Sequence, residues 1–177
     1  MHFFKSLNIK KLKVIELLEP ILEKYCKDNF QNSSDVSVKL LEYKKLLLDA
    51  NQHMNLIGKS TIEDFDQRHF LDCIQIHEYM NEKNNLTIDL GTGAGLPGVL
   101  LSIIGYKNLH LVEKSPKKSA FLESCKLRLG LDFTIHNRPL AEVSLSNVQY
   151  VVARAFAPIA KILSFTKQMV NDQTQYV

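Results

Sequence analysis

The chain has 177 residues, 45% hydrophobic and 23% charged, and 22 Lys and Arg against 19 Asp and Glu give a formal net charge of +3. That is the composition of a globular protein of about one domain, and it excludes collagen-like, disordered and disulfide-scaffold classes. Cys26, Cys73 and Cys125 are far apart and form no Cys-x-x-Cys pair, which argues for a reducing compartment and against structural zinc, and no metal constellation is visible. No apolar run reaches the roughly 18 residues that a membrane span requires. The start, MHFFKSLNIKKLKVIELL, has no continuous apolar segment before its charges. The expectation is therefore a soluble, cytoplasmic protein without a secretory signal or a membrane partner.

Residues 10–26 place Leu12, Ile15, Leu18, Ile21, Leu22 and Tyr25 at the three-and-four spacing of an amphipathic helix, with Pro20 as a kink. A second helix is predicted from the Ser33-Ser34-Asp35 capping signal to about Ala50, carrying Val38, Leu41, Tyr43, Leu46, Leu47 and Leu48. After the polar break NQHMNLIGKS, a third helical pattern runs from about Thr61 to Met80, with Ile62, Phe65, His69, Leu71, Ile74 and Ile76 for its apolar side. Residues 1–82 thus read as a helical N-terminal extension. From Leu86 the period changes, and short apolar runs near 87–90, 108–113, 133–137 and 149–155 alternate with helical patterns, with a fifth strand beginning at Tyr176-Val177. This alternation predicts an α/β domain over 83–177, a parallel sheet with helices on both faces and ligands beyond the carboxyl ends of the strands.

The informative segment is TIDLGTGAGLPG, residues 87–98. A strand ends at Leu90, the glycines permit a tight turn and close backbone approach, and the next helix offers unsatisfied N–H groups. Gly93-x-Gly95-x-x-Gly98 satisfies the dinucleotide fingerprint, so a nicotinamide or flavin oxidoreductase is a rival reading. S-adenosylmethionine is favoured because Asp89 precedes the first glycine by two residues, where an acid orders the loop or accepts from a cationic amino group and a pyrophosphate gains nothing. Glu113, closing the next strand, suits the ribose hydroxyls of either cofactor.

IDLGTGAGLPG, EKSPKKSAFL, RPLAEV and VVARAFAP, preceded by NLIGKSTIEDFDQRHFLDC, resemble the successive motifs of the bacterial small-subunit ribosomal RNA guanine-N7 methyltransferases, the RsmG or GidB family. The likeness runs from about Asn51 to the end of the chain. It implies a class I S-adenosylmethionine-dependent methyltransferase with a Rossmann-like sheet, 16S ribosomal RNA of the small subunit as partner, and a monomeric enzyme. Carried over position by position, the cofactor contacts are Gly91 and Gly93 in the loop, Leu96 at its turn into the helix, and Glu113 on the ribose. Ala141 and Glu142 line the adenine, and Arg154 sits near the methyl-donor end. On their own residues, Ala141 and Glu142 equally open a short helix and Arg154 equally makes an ordinary ion pair.

A guanine N7 offers a free lone pair and needs no deprotonation, so proximity and orientation suffice and no catalytic residue is singled out. The sequence agrees, with neither an Asn/Asp-Pro-Pro-aromatic string nor a Pro-Cys after the fourth strand. Cys125, inside a helical pattern, reads as structural. Lys114, Lys117, Lys118, Arg128 and Arg138 are candidates for RNA phosphates, while His69 and Asp72, three apart, touch substrate or cofactor or pair with each other. His53 and His136 look isolated. A complete sheet of this fold has seven strands, so the chain reads as C-terminally incomplete, with the edge of its fourth strand exposed. The matching alternative is a remnant that binds S-adenosylmethionine or RNA with weak or no turnover.

Overall fold

The computed structural model describes residues 33–177; the helix predicted over residues 10–26 lies outside them. Apolar runs of four or five residues become strands where both faces are covered. The five strands are β1 (Thr87–Leu90), β2 (Leu109–Val112), β3 (Thr134–His136), β4 (Val148–Val152) and β5 (Val170–Tyr176). All pair in parallel, in the order β3-β2-β1-β4-β5. Central β1 is buried at every position, with Leu90 opposite Val112 and Asp89 opposite both Leu111 and Val152.

Parallel pairing requires crossovers. They are α2 (Gly98–Ile103), α3 (Pro116–Leu129) and α4 (Ile159–Thr166), with a single 3-10 turn, Leu140–Glu142, between β3 and β4. Preceding them, α1 (Ser33–Met54) begins at the predicted serines and runs four residues past Ala50. Its buried stripe is Val36, Leu40, Tyr43 and Leu47, the 3.6-residue period, whereas Val38 faces solvent. One face of the sheet shares a core with α1, α2 and α3 through residues such as Leu40, Leu100, Leu111, Leu122 and Val152. The other face packs Ile88, Leu90, Val148 and Val151 against Leu140, Val143, Met169 and Ile162.

Two expectations are corrected. The helix predicted from Thr61 to Met80 is found over Asp66–Tyr79 as one helical run that changes type, π at Asp66–Leu71, α at Asp72–Ile74 and 3-10 at Gln75–Tyr79, set off from a lone 3-10 turn at Lys59–Thr61. His69 and Phe70 on the π turn are both buried, while Ile62 is exposed. The fifth strand starts at Val170 rather than Tyr176 and pairs with β4, so β4 is not an edge. Its polar run escaped the strand pattern because an edge strand half open to solvent needs no continuous apolar face. Among the described residues no helix is long and apolar enough to cross a membrane.

Candidate cofactor-binding site

The order β3-β2-β1-β4-β5 makes the gap beyond the carboxyl ends of β1 and β4 the topological switch point, where open α/β sheets bind ligands. Two sequence-predicted features converge there, the glycine loop after β1 and Glu113 after β2, while Arg154, which follows β4, does not line the cavity they form.

The loop is held from below. Asp89 Oδ2 accepts hydrogen bonds from Thr92 Oγ1 at 2.6 Å and from the Gly98 backbone N–H at 2.8 Å. A Cβ on Gly98 would lie 2.7 Å from that oxygen and 2.8 Å from Leu111 Cγ, so glycine is what lets α2 press onto the sheet. Asp89 Oδ1 is buried without a hydrogen-bond partner. Burial pushes this carboxyl up to about 6, against the pull of the two bonds on its partner oxygen. From α1, the buried Tyr43 hydroxyl donates to the Ala94 carbonyl at 2.7 Å, tying the extension to the crest of the loop.

Glu113 shapes the other wall. Its Oε2 accepts from the Gly93 N–H at 3.1 Å and its Oε1 from the Ser115 N–H at 2.7 Å, while its own carbonyl is held by Asn137 Nδ2 at 2.9 Å. Each carboxylate oxygen retains acceptor capacity. Above it opens a cavity of about 520 Å³ lined by Gly91, Glu113 and Ala141 of the predicted set. That volume falls in the range of small-molecule sites. Gly93 is not among the lining residues and reaches the cavity only through its bond to Glu113. Leu96 is buried in the core behind the loop, and Glu142 is exposed on the 3-10 turn with its N–H on the Pro139 carbonyl. Ala141 and Glu142 thus do belong to a short helical turn, which Leu140 opens and one side of which is a cavity wall.

Of the phosphate candidates, Lys114, Lys118 and Arg138 line the cavity, joined by Lys161. Lys117 and Arg128 lie exposed on α3. The larger cavity of about 870 Å³, between residues 75–81 and 175–177, contains neither glycine loop nor strand-end acid, and the chemistry is not there.

Arg154 turns toward the helical turns before β1. Its Nη2 donates to the Arg68 carbonyl at 2.8 Å and pairs with Asp72 at 3.5 Å, and its Nη1 meets His69 Nδ1 at 3.1 Å. His69 and Asp72 are therefore joined through Arg154 rather than to each other. Burial, with Arg154 next in size, lowers the His69 pKa to about 4.

Sequence reasoning missed Phe156, Phe165 and Lys161 as cavity walls, and Tyr43 as a loop anchor. The local signal for Phe156 is geometric: Ala155 adopts a left-handed φ of 53°, and the Phe156 ring lies over Gly91, whose φ is 65° and where an added Cβ would meet Phe156 Cδ2 at 2.3 Å. Cys125 is buried and its thiol is pushed up to about 12, as befits a packing residue. His136 is not isolated; it stacks on His110 with ring nitrogens 2.8 Å apart. Among the described residues no cluster of three or more metal-ligating side chains occurs.

Comparison with known proteins adds to this geometry. Residues 37–177 match the family model GidB, described as rRNA small subunit methyltransferase G. The protein named ribosomal RNA small subunit methyltransferase G from Orientia tsutsugamushi (strain Boryong) is 38% identical over 140 residues, 79% of this chain and 70% of that protein. The same-named protein from Rhodospirillum rubrum is 37% identical over 131 residues, 74% of this chain and 65% of that protein. In fold, the chain is similar to a putative S-adenosyl-L-methionine-dependent methyltransferase from Methanococcus maripaludis, with TM-score 0.56 and 11% identity over 75% of this chain and 60% of that one. It is also similar to a mutant of MtNAS in complex with S-adenosylmethionine, with TM-score 0.55 and 17% identity over 94% of this chain and 74% of that one.

Proposed function

The chain belongs to the GidB family, rRNA small subunit methyltransferase G, and from that premise we propose that it uses S-adenosylmethionine to methylate N7 of a guanine in the 16S ribosomal RNA of the small subunit. The observation that carries the cofactor assignment is the glycine loop seated on a buried carboxylate with one uncommitted oxygen, at the switch point and beside Glu113. A concentrated negative charge under the loop suits a cationic sulfonium and ammonium, and it disfavours the pyrophosphate of a dinucleotide.

S-adenosylmethionine supplies an electrophilic methyl group on a sulfonium. In this reading Gly91 and Gly93 give the ligand close backbone approach, and Leu96 supports the loop from the core. Glu113 accepts from the ribose hydroxyls, the Ala141-Glu142 turn borders the adenine, and Arg154 stands at the methyl-donor end. N7 brings its own lone pair, so no side chain need take a proton. What the protein contributes is alignment, an effect worth up to about 7–11 kcal/mol of barrier in favourable cases. Lys114, Lys118, Arg138 and Lys161 at the rim supply positive charge for RNA phosphates. We take the acting species to be a cytoplasmic monomer; sedimentation of the purified chain tests the oligomeric state.

Calorimetric titration with S-adenosylmethionine, with NADH in parallel, checks the cofactor. Binding of the former alone is expected, and transfer of labelled methyl to small-subunit RNA follows as the test of the reaction. Binding of NADH alone would transfer the protein to the oxidoreductases.

A further inference from the structure

The guanidinium of Arg154 leaves the end of β4 and is met by three groups of the turns at residues 66–72, with the buried Cys73 thiol beside it. Two of them, the Arg68 carbonyl and the Asp72 carboxylate, are ordinary acceptors. The third is an imidazole, which accepts only through an unprotonated nitrogen. Arginine has no acceptor to offer, so His69 Nδ1 must carry the lone pair in the 3.1 Å contact. On the far side of the ring, Nε2 lies 2.8 Å from Thr61 Oγ1, and that hydroxyl spends its one proton on the Gly58 carbonyl at 2.7 Å. Thr61 must therefore accept from Nε2–H. Both ends of the relay demand the same tautomer, and it runs without a break from Arg154 through His69 and Thr61 to Gly58.

The ring is also fixed in place. His69 is 4% exposed, and the Phe65 ring packs on it with centroids 4.9 Å apart at a tilt of 59°. The charged groups that influence it are Arg154, from the loop after β4, and Arg68 and Asp72 of its own segment. Two are cations. Asp72, the one carboxylate, is about half exposed and engaged with Arg154. A proton on Nδ1 would place an N–H against the guanidinium.

We propose that His69 is a positioning residue: aimed by Thr61, its neutral ring holds Arg154 at the methyl-donor end, making the turns at residues 58–72 a working part of the cofactor site. The proposal rests on the assignment of Arg154 to that site.

The test uses the full chain and three readouts. Imidazole nitrogen spectra of the wild type are expected to show His69 as the neutral Nε2–H form at pH 7 and still neutral at pH 5. Arg154 guanidinium proton signals are expected to be sharp in the wild type and in His69→Asn, whose amide oxygen replaces Nδ1, and broadened in His69→Leu. S-adenosylmethionine affinity is expected to fall about tenfold in His69→Leu, the loss of one hydrogen bond to a charged group, and to stay within about threefold in His69→Asn. Melting curves confirm that both variants fold. An Nδ1–H or doubly protonated ring at pH 7, equally sharp Arg154 signals in His69→Leu, or equal losses in the two variants would overturn the proposal, the last because mere attachment of the segment would explain it. Arg154→Ala separates the premise from the inference. If it binds S-adenosylmethionine as the wild type does, the assignment of Arg154 falls and takes the functional role of His69 with it; if it binds weakly while His69→Leu does not, only the role of His69 is lost.

Discussion

Asp89 does two jobs that an asparagine separates. Its Oδ2 organises the loop by accepting from Thr92 and Gly98, while its charge sits buried beneath the place assigned to a cationic ligand. In Asp89→Asn the amide oxygen takes over the two bonds and the amide nitrogen falls where Oδ1 has no partner. Lifting the carboxyl from 3.8 to about 6 costs the folded protein about 3 kcal/mol once the group is ionised. An unpartnered buried amide donor costs about 1–3 kcal/mol. These terms differ by at most about 2 kcal/mol, so the free variant is expected to melt within about 8 °C of the wild type, at about 2–4 °C per kcal/mol for a chain of this size. Affinity is different, because nothing replaces the charge. Calorimetry at pH 7.5 is expected to show S-adenosylmethionine bound at least about tenfold more weakly, a loss of about 1.4 kcal/mol or more. The pH dependence gives a second check. Wild-type affinity should decline as pH falls through about 6 and Asp89 gains its proton, whereas the variant should be flat there. Wild-type affinity in Asp89→Asn, or a variant that does not fold, would refute the division of labour between the two oxygens.

The same substitution exposes a stability slope that the wild type conceals. Because its pKa is raised, Asp89 contributes stability that is fully present below 3.8 and lost as pH rises through about 6. Because its pKa is lowered, His69 contributes stability that is present above 6.5 and lost as pH falls toward about 4. The two oppose each other across that window, so Asp89→Asn should show melting temperatures falling steadily from pH 6.5 to 4, more steeply than the wild type. Tyr43→Phe leaves the Ala94 carbonyl without its buried donor and should cost about 1–3 kcal/mol, with cofactor affinity reduced along with the melting temperature; an unchanged melting curve would detach α1 from the loop. Gly91→Ala drives a Cβ into the Phe156 ring at a φ of 65°, a backbone cost of about 1–2 kcal/mol before the ring moves, and should abolish S-adenosylmethionine binding in calorimetry while the protein still folds. Cys125 should resist iodoacetamide in the folded protein at pH 8 and react only on unfolding, since its thiol is buried and pushed up to about 12.

The glycine loop was legible in the sequence because its chemistry is local: glycines at fixed offsets, an acid two residues upstream and a strand of four apolar-flanked residues all fall within twelve positions. Glu113 was legible for the same reason, one strand later. The first four strands and the three crossover helices followed from the change of period after Leu86. β5 was not, because an edge strand can be polar on most of its surface, and NDQTQ becomes a strand only when β4 presents its unpaired backbone. Nor was the change of helix type within the segment expected to be helical over 61–80. The apolar residues there fit one helical face closely enough to predict a helix, and the π turn within it is set by what His69 and Phe70 meet in space.

Arg154 and His69 are 85 residues apart, Tyr43 and Ala94 are 51 apart, and no spacing rule pairs them. The sequence by itself determined the kind of sheet, the place of the loop and the acids that serve it, since periodicity and turn chemistry act over a few residues. Only the tertiary structure decided that one oxygen of Asp89 is committed and the other is not, that Phe156 covers Gly91, and that the segment before the sheet holds Arg154. Burial and hydrogen-bond partnership arise when distant segments exclude water together, and a residue's neighbours along the chain do not specify them.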